Sequence, residues 1–470
     1  MIEAIPGRRA MRQRVGDARR RSKTTPGRLR MLSLAITIAS IALTVIGTGA
    51  LVAAEVTAVG MQQRTVPAIV GMQRLHAWLS DADRSAAGAY LAGGSEVSLS
   101  QLQYEADIAA ANRELQLASQ HNPGGNEASQ QLQAVAVSIS TYASLVQTAS
   151  VDDRQAIATG NPALGAAGTV YLQAGSTLMH RPGGILAQVE GLREMYAAGL
   201  DRANLTLRIT ASLIGLYAVV ALVVLVLLAG THRFVKVRFR RRRNPRLYLA
   251  MLLLVVVGAG GGAGALQASQ DIRSAEDHDI SRLVSLYQAR ALAYDANGNE
   301  GLSLIAGGTG GAYDAAFRAE TAKLVDRPLT DKLMQDAEHG QIRFNGLLAD
   351  GLRAASPGEK ADALKVLRAY RTFIEVDATV RSEAQNNNQR LAVTTALGTD
   401  KGQLVFAFDE LDYDLGVFIQ HFQSEFDGTM QQAEITLGVT AGLELLAMAI
   451  AALTFWGLRP RIAEYTSGGR

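Results

Sequence analysis

Four apolar stretches constrain this chain more than anything else in it: Met31 to Ala54, Ile209 to Gly230, Leu247 to Leu266 and Ile435 to Leu458. Each runs for about 20 residues or more, enough at ~1.5 Å per helical residue to cross a hydrocarbon core of roughly 30 Å. Inside lipid such a segment satisfies its own backbone only as a helix. The first stretch follows a basic leader and reads either as a signal peptide ending near Ala54 or as a retained span. A signal core usually holds only about 7 to 15 apolar residues, so retention is expected. The expected fold class is all-α: a multi-pass membrane protein with four transmembrane helices and two tandem extracytoplasmic four-helix bundles.

Positive charge close to a span stays on the cytoplasmic side, and the Lys and Arg of this chain are unevenly placed. Residues 1–30 carry ten Lys or Arg against two acidic residues, 231–246 eight against none, and 459–470 three against one. The long segments 55–204 and 267–434 hold 8 basic against 13 acidic and 16 against 26. The pattern divides the chain into a basic cytoplasmic N-terminus (1–30), span 31–54, external segment 55–208, span 209–230, basic cytoplasmic loop 231–246, span 247–266, external segment 267–434, span 435–458 and cytoplasmic tail 459–470. The net charge of +3 conceals this division and is no sign of nucleic-acid binding. There is no cysteine, so disulfides, thiol chemistry and Cys metal sites are excluded. Each external segment must be held by packing alone.

Two hairpins of similar size suggest duplication, and they align at an offset of 214 residues. Asp81-Ala82-Asp83 falls on Asp295-Ala296-Asn297, Leu91-Ala92-Gly93-Gly94 on Ile305-Ala306-Gly307-Gly308, and Val66, Ile69 and Met72 on Ile280, Leu283 and Leu286. Each copy contains an even number of spans, so both have the same orientation. Turn signals break the first copy at Gly93-Gly94-Ser95, Asn122 to Gly125 and Thr159 to Pro162, and the second at Gly307 to Gly311, Ser356-Pro357-Gly358 and Gly398. Three turns give four helices per copy, and Pro182 and Pro328 should kink or interrupt theirs.

No catalytic constellation emerges. His76, His121, His180, His232, His278, His339 and His421 are scattered, without an HExxH pair or a nucleophile elbow. The chain is expected not to be an enzyme and to need no cofactor or metal. Gly258, Gly260, Gly261, Gly262 and Gly264 in the third span read as a helix-packing face, with a hinge as the sharper alternative. Glu444, near mid-membrane in the fourth span, reads as a neutral group bonded to a neighbouring helix or as an intramembrane coupling element. Arg238, Arg240, Arg241, Arg242 and Arg243 set topology, meet anionic headgroups or dock a cytoplasmic partner. In the last external helix Phe406, Phe408, Leu411, Leu415, Phe418, Phe422 and Phe426 recur at helical spacing as core, with Asp409, Glu410, Asp412 and Asp414 as a solvated acidic face or a binding surface. Asp81, Asp83, Asp295 and Glu300 are either solvated positions or contacts for an external partner.

The tandem plan, with Ser80-Asp81-Ala82-Asp83 ahead of Tyr90 to Gly94 and Tyr294 to Asn297 ahead of Ile305 to Gly308, resembles actinobacterial membrane proteins of the GlnX type over nearly the whole chain. Members of that family are encoded beside a glutamine-type solute-binding lipoprotein and the cytosolic Ser/Thr protein kinase G. The resemblance implies a non-enzymatic signalling adaptor: the lipoprotein senses amino acids outside, and the membrane protein passes that state to the kinase. It supplies no mapped ligand residues. The interior parts, about 30, 16 and 12 residues long, hold no output domain, so any output must act in trans. Membrane lipids are the remaining expected partner, and a homodimer is compatible with the pattern. Rival readings are a scaffold of the cell envelope and a transporter component using Glu444.

Overall fold

The computed structural model describes residues 25–93, 99–239, 245–274, 280–307 and 310–463. Every regular element among them is helical, and the protein is an all-α, multi-pass membrane protein. In chain order the α-helices are α1 (Thr25–Gly60), α2 (Val66–Leu91), α3 (Leu99–His121), α4 (Gly125–Thr159), α5 (Pro162–His180), α6 (Ile185–Phe239), α7 (Pro245–Ser274), α8 (Ser281–Ala306), α9 (Gly311–Leu324), α10 (Asp331–Glu338), α11 (Leu347–Ala354), α12 (Lys360–Gln385), α13 (Gln389–Leu397) and α14 (Leu404–Ala463). A π-helical turn, Met61–Thr65, joins α1 to α2. Pro67 offers no N–H to the preceding turn, and the Thr65 hydroxyl donates to the Gly60 carbonyl (3.4 Å).

The predicted breaks fall on helix ends. The α4–α5 corner shows the local reason: Gly160 takes φ 64°, Asn161 accepts a hydrogen bond from the Ala163 N–H (3.1 Å), and Pro162 opens α5. Gly past a helix end, Asn at the N-cap and Pro at the first position each suit their place. Pro182 separates α5 from α6, and Pro328 lies between α9 and α10. These interruptions, with those at 339–346 and 386–388, divide both copies further than the expected four helices.

The helices form two compact units. The span unit gathers the described residues up to Val59, Ala203–Arg273 and those from Thr429 onward. Its seams repeat at about seven residues: Leu29, Ile36, Leu43 and Ala50 on α1, and Leu247, Leu254, Gly261 and Ala268 on α7, are buried. The outward residues are also apolar, among them Leu34, Ile41, Leu222, Val226, Leu252 and Val439. A surface this apolar suits hydrocarbon, not water. Five helical runs are long and apolar enough to cross a membrane: Gly27–Leu91, Gly125–Thr159, Arg208–Val237, Pro245–Arg273 and Leu404–Gly457. The second, which is α4, was not among the four expected spans. It buries one seam, Ala128, Leu132, Val135, Ile139, Tyr142, Val146 and Ala149, and exposes Ser140, Thr141, Ser144 and Arg154.

The second unit, named the external unit after the expected placement of its segments, comprises Gly60–Arg202 and Ser274–Gly428 together. The expectation of two tandem bundles is therefore corrected: the two copies coalesce. Their first helices, α2 and α8, pack along each other, and one core joins Leu75, Leu79, Ala86 and Ala87 of α2 to Leu302 of α8. A Cβ built on Gly301 would lie 3.3 Å from that of Ala87, and one on Gly298 3.6 Å from the Arg84 Cα. At the repeat offset, Arg84 is equivalent to Gly298 and Ala87 to Gly301. The equivalent helices thus cross at equivalent residues and run parallel.

Candidate functional site

Where α2 meets α8, the four acidic positions singled out from the sequence lie inside the external unit. Asp81, Asp83 and Glu300 are 2 % exposed and Asp295 7 %. They are neither solvated nor presented to a partner. The polar face of each helix is covered by the other helix and by its own neighbours, so each carboxylate needs an internal partner.

Each has one. Asp81 accepts from the Arg84 guanidinium (2.6 and 2.7 Å), and Arg84 also lies over the Phe408 ring (5.4 Å). Asp107, held by Ser85 (3.1 Å) and Gln103 (2.9 Å), is pushed upward by burial and by the Asp81 charge. Asp83 accepts from the Tyr142 hydroxyl (3.0 Å), the Ser176 hydroxyl (2.9 Å) and His180 Nε2 (3.1 Å). Burial works against a charge on His180, but the Asp83 carboxylate outweighs it and raises the imidazole to about 9. Glu300 pairs with Arg381, which also reaches Asp377 (2.9 Å) and Asp314 (2.5 Å) and covers the Phe317 ring (4.1 Å). Burial and the Asp377 charge push Glu300 above the usual carboxyl range.

Asp295 is different because it borders open space. A cavity of about 310 Å³ lies between the two copies, lined by Gln73 and His76 of α2, His180 of α5, Glu190 of α6, Asp295 of α8, and Glu320 and Lys323 of α9 among others. Asp295 Oδ2 lies 3.4 Å from His76 Nε2. Its Oδ1 is buried without a hydrogen bond of ordinary geometry among the described residues, and the buried Ser80 hydroxyl lies close enough to help hold the charge. Burial opposes the Asp295 charge, yet His76 and His180 hold it below the usual range. Both Glu320 oxygens accept from the Asn299 amide (3.0 and 2.9 Å). Burial and the Asp295 charge raise Glu320 to about 7, with the Asn299 amide, His180 and Lys323 acting the other way. A second cavity, of about 420 Å³, is walled by the first copy alone, with Tyr90, Tyr104, Ile108, Val146 and Leu172.

Sequence reasoning missed His76 and His180, since residues so far apart give no spacing signal. The acidic residues of α14 read as a solvated face or a binding surface; Asp409 and Glu410 are exposed, whereas Asp412 takes a two-pronged bond from Arg290 (2.6 and 2.7 Å). The aromatic stripe is core as expected from Phe408 to Phe426, but Phe406 is 37 % exposed. No group of three or more His, Asp or Glu among the described residues is arranged to hold a metal.

In the span unit Glu444 is 5 % exposed, and its Oε2 has no hydrogen-bond partner among the described residues. Small residues of other helices make room for it: a Cβ on Gly47 would come within 2.7 Å of the carboxyl, and one on Gly261 within 3.0 Å. Of the glycines read as a packing face, Gly260 meets Leu443 and Gly264 meets Thr440 closely. Gly258 and Gly262 lie farther from their neighbours, 3.6 Å from Ala221 and 4.0 Å from Tyr217. Gly47 carried no signal in the sequence beyond its type. Arg240, Arg241, Arg242 and Arg243 lie outside the described residues, and Arg238 is placed in α6 by its backbone alone.

Residues 57–204 match the family described as an actinobacterial sensor domain. The match covers α2 to α5 and the start of α6, including one wall of the cavity between the copies. No curated protein and no solved structure matches the chain.

Proposed function

We propose that this protein is a non-enzymatic transmembrane signalling adaptor, relaying amino-acid availability, sensed by an extracytoplasmic solute-binding lipoprotein, to a cytoplasmic Ser/Thr protein kinase. The observation that carries the reading is helix continuity beside a polar core. Helix α6 contributes Leu186, Ala187 and Glu190 to the cavity wall and runs unbroken to Phe239. Helix α14 supplies Asp412, which binds Arg290, and runs unbroken to Ala463. A shift of a packed helix is a recognised carrier of signals. The sensor-domain match supports a sensing role for the external part.

In this proposal the four stretches foreseen from hydropathy cross the membrane, both termini and the loop 231–246 are cytoplasmic, and α4 is a bundle helix. Arg238 and Arg240 to Arg243 contact anionic lipid and the kinase, and Glu444 couples the spans. With the charged partners of the α2–α8 seam buried, the external partner must dock on other surfaces. The test is affinity capture of the full chain from native membranes with and without external aspartate or glutamate. Co-recovery of a solute-binding lipoprotein and a Ser/Thr kinase, in amounts that respond to the amino acid, is expected. Recovery of wall or division proteins alone, indifferent to the amino acid, would leave the scaffold reading in its place. An unchanged response in Glu444→Leu would remove Glu444 from the scheme.

A further inference from the structure

We propose that the cavity between the two copies is itself a ligand site, taking a small molecule whose primary ammonium group sits between Asp295 Oδ1 and Glu320. The inference deepens the sensing role above, but it concerns this chain alone and requires neither lipoprotein nor kinase.

The charges around the cavity favour a cationic donor. His180 is matched by Asp83, Glu190 by Arg193 (2.6 Å), and the Oδ2 of Asp295 by His76 (3.4 Å). That leaves Asp295 Oδ1, buried without a hydrogen bond of ordinary geometry, and Glu320, whose partner is the neutral Asn299 amide. Both are acceptors, and they repel each other. An ammonium group has three donors and the opposite charge, so it answers both wants at once. The volume of about 310 Å³ is at the lower end for small-molecule sites and has room for an amino acid or a small amine. Access runs past Ala187, Gln288 and Lys323, all exposed. Lys323 at this edge decides which ammonium compounds are taken: a free amino acid would lay its carboxylate there, whereas a simple amine would gain nothing from it.

The site also has a route outward. Its walls come from both copies, so a ligand there ties α2 and α5 to α8 and α9, and it touches the first turns of α6.

The experiment is isothermal titration calorimetry on the full-length protein in nanodiscs at neutral pH, with glycine and L-glutamine as zwitterions, methylammonium and putrescine as amines, and succinate as the carboxylate without ammonium. At least one ammonium probe should bind and succinate should not. Asp295→Asn should weaken binding tenfold or more, and Glu320→Gln should do so too, which covers the case of an Asp295 variant that misfolds. If Lys323→Gln weakens only the zwitterions, the ligand is an amino acid; if it weakens neither class, the ligand is an amine, and either result supports the site. Absence of heat with every ammonium probe, equal binding of succinate, or binding untouched in both carboxylate variants would overturn it. The last outcome would place the ligand elsewhere, for instance between Tyr90 and Tyr104. None of these results bears on capture of a lipoprotein or a kinase, so the two proposals fail separately.

Discussion

At the scale of single residues the account rests on buried carboxylates that each have a named partner. Removing a hydrogen-bond donor from a buried charge costs more than the bond returns net. Tyr142→Phe deletes the hydroxyl that donates to Asp83 (3.0 Å) and should lower stability by about 1.5–3 kcal/mol, read from denaturant unfolding of the detergent-solubilised chain. The pH dependence is set by the raised groups, Asp107 and Glu300 among them, and two show its sense. His180 stands at about 9 against an ordinary 6.5, and Glu320 at about 7 against 4.5. Both bind protons more readily folded than unfolded, so their stabilising contribution is complete below the ordinary values. It is lost as pH rises through about 7 for Glu320 and about 9 for His180. Asp295 works in the opposite sense, but only as pH falls below its ordinary 3.8. The melting temperature of the external unit should therefore fall by a few degrees between pH 5 and pH 9; a flat or rising curve would contradict the assignments. Asp81, Asp83, Asp295 and Glu300 were visible in the sequence as a polar set. Their burial was not, because a polar helix face reads the same whether water or a second polar face covers it.

At the scale of elements the seams were partly legible. The α4–α5 corner was written in Gly160, Asn161 and Pro162, and the glycines of α7 announced a close approach that Gly260 and Gly264 make to α14. What no local pattern announced was which helix would approach. At the α2–α8 crossing Gly301 leaves no room for a branched side chain beside Ala87 (3.3 Å). Gly301→Leu should cost about 1–3 kcal/mol or more through overpacking. Gly191 in α6 has nothing within 4 Å of a built Cβ, so Gly191→Ala should instead stabilise the helix by about 0.5–1 kcal/mol. Paired unfolding measurements on the two variants give opposite signs if the packing is as described, and the same sign if it is not.

At the scale of the whole molecule, hydropathy made the membrane class legible, and charge placement supplied an orientation for the spans. Duplication was legible too, but its consequence was misjudged. Two similar segments were expected to close separately, since each has enough residues for a core of its own. Instead α2 and α8 pack along each other, and buried Asp295 of α8 meets His76 of α2 across the joint. This joining is the central claim, because the cavity exists only between the copies. It is open to a direct measurement in a chain that contains no cysteine of its own. In Ala87→Cys combined with Gly301→Cys, the Cβ separation of 3.3 Å is close to the roughly 3.5–4.5 Å of a disulfide. Mild oxidation in native membranes, followed by proteolysis and mass spectrometry, should recover a disulfide-linked peptide pair from within one chain. Free thiols, or disulfides formed only between chains, would contradict the shared fold and the cavity with it.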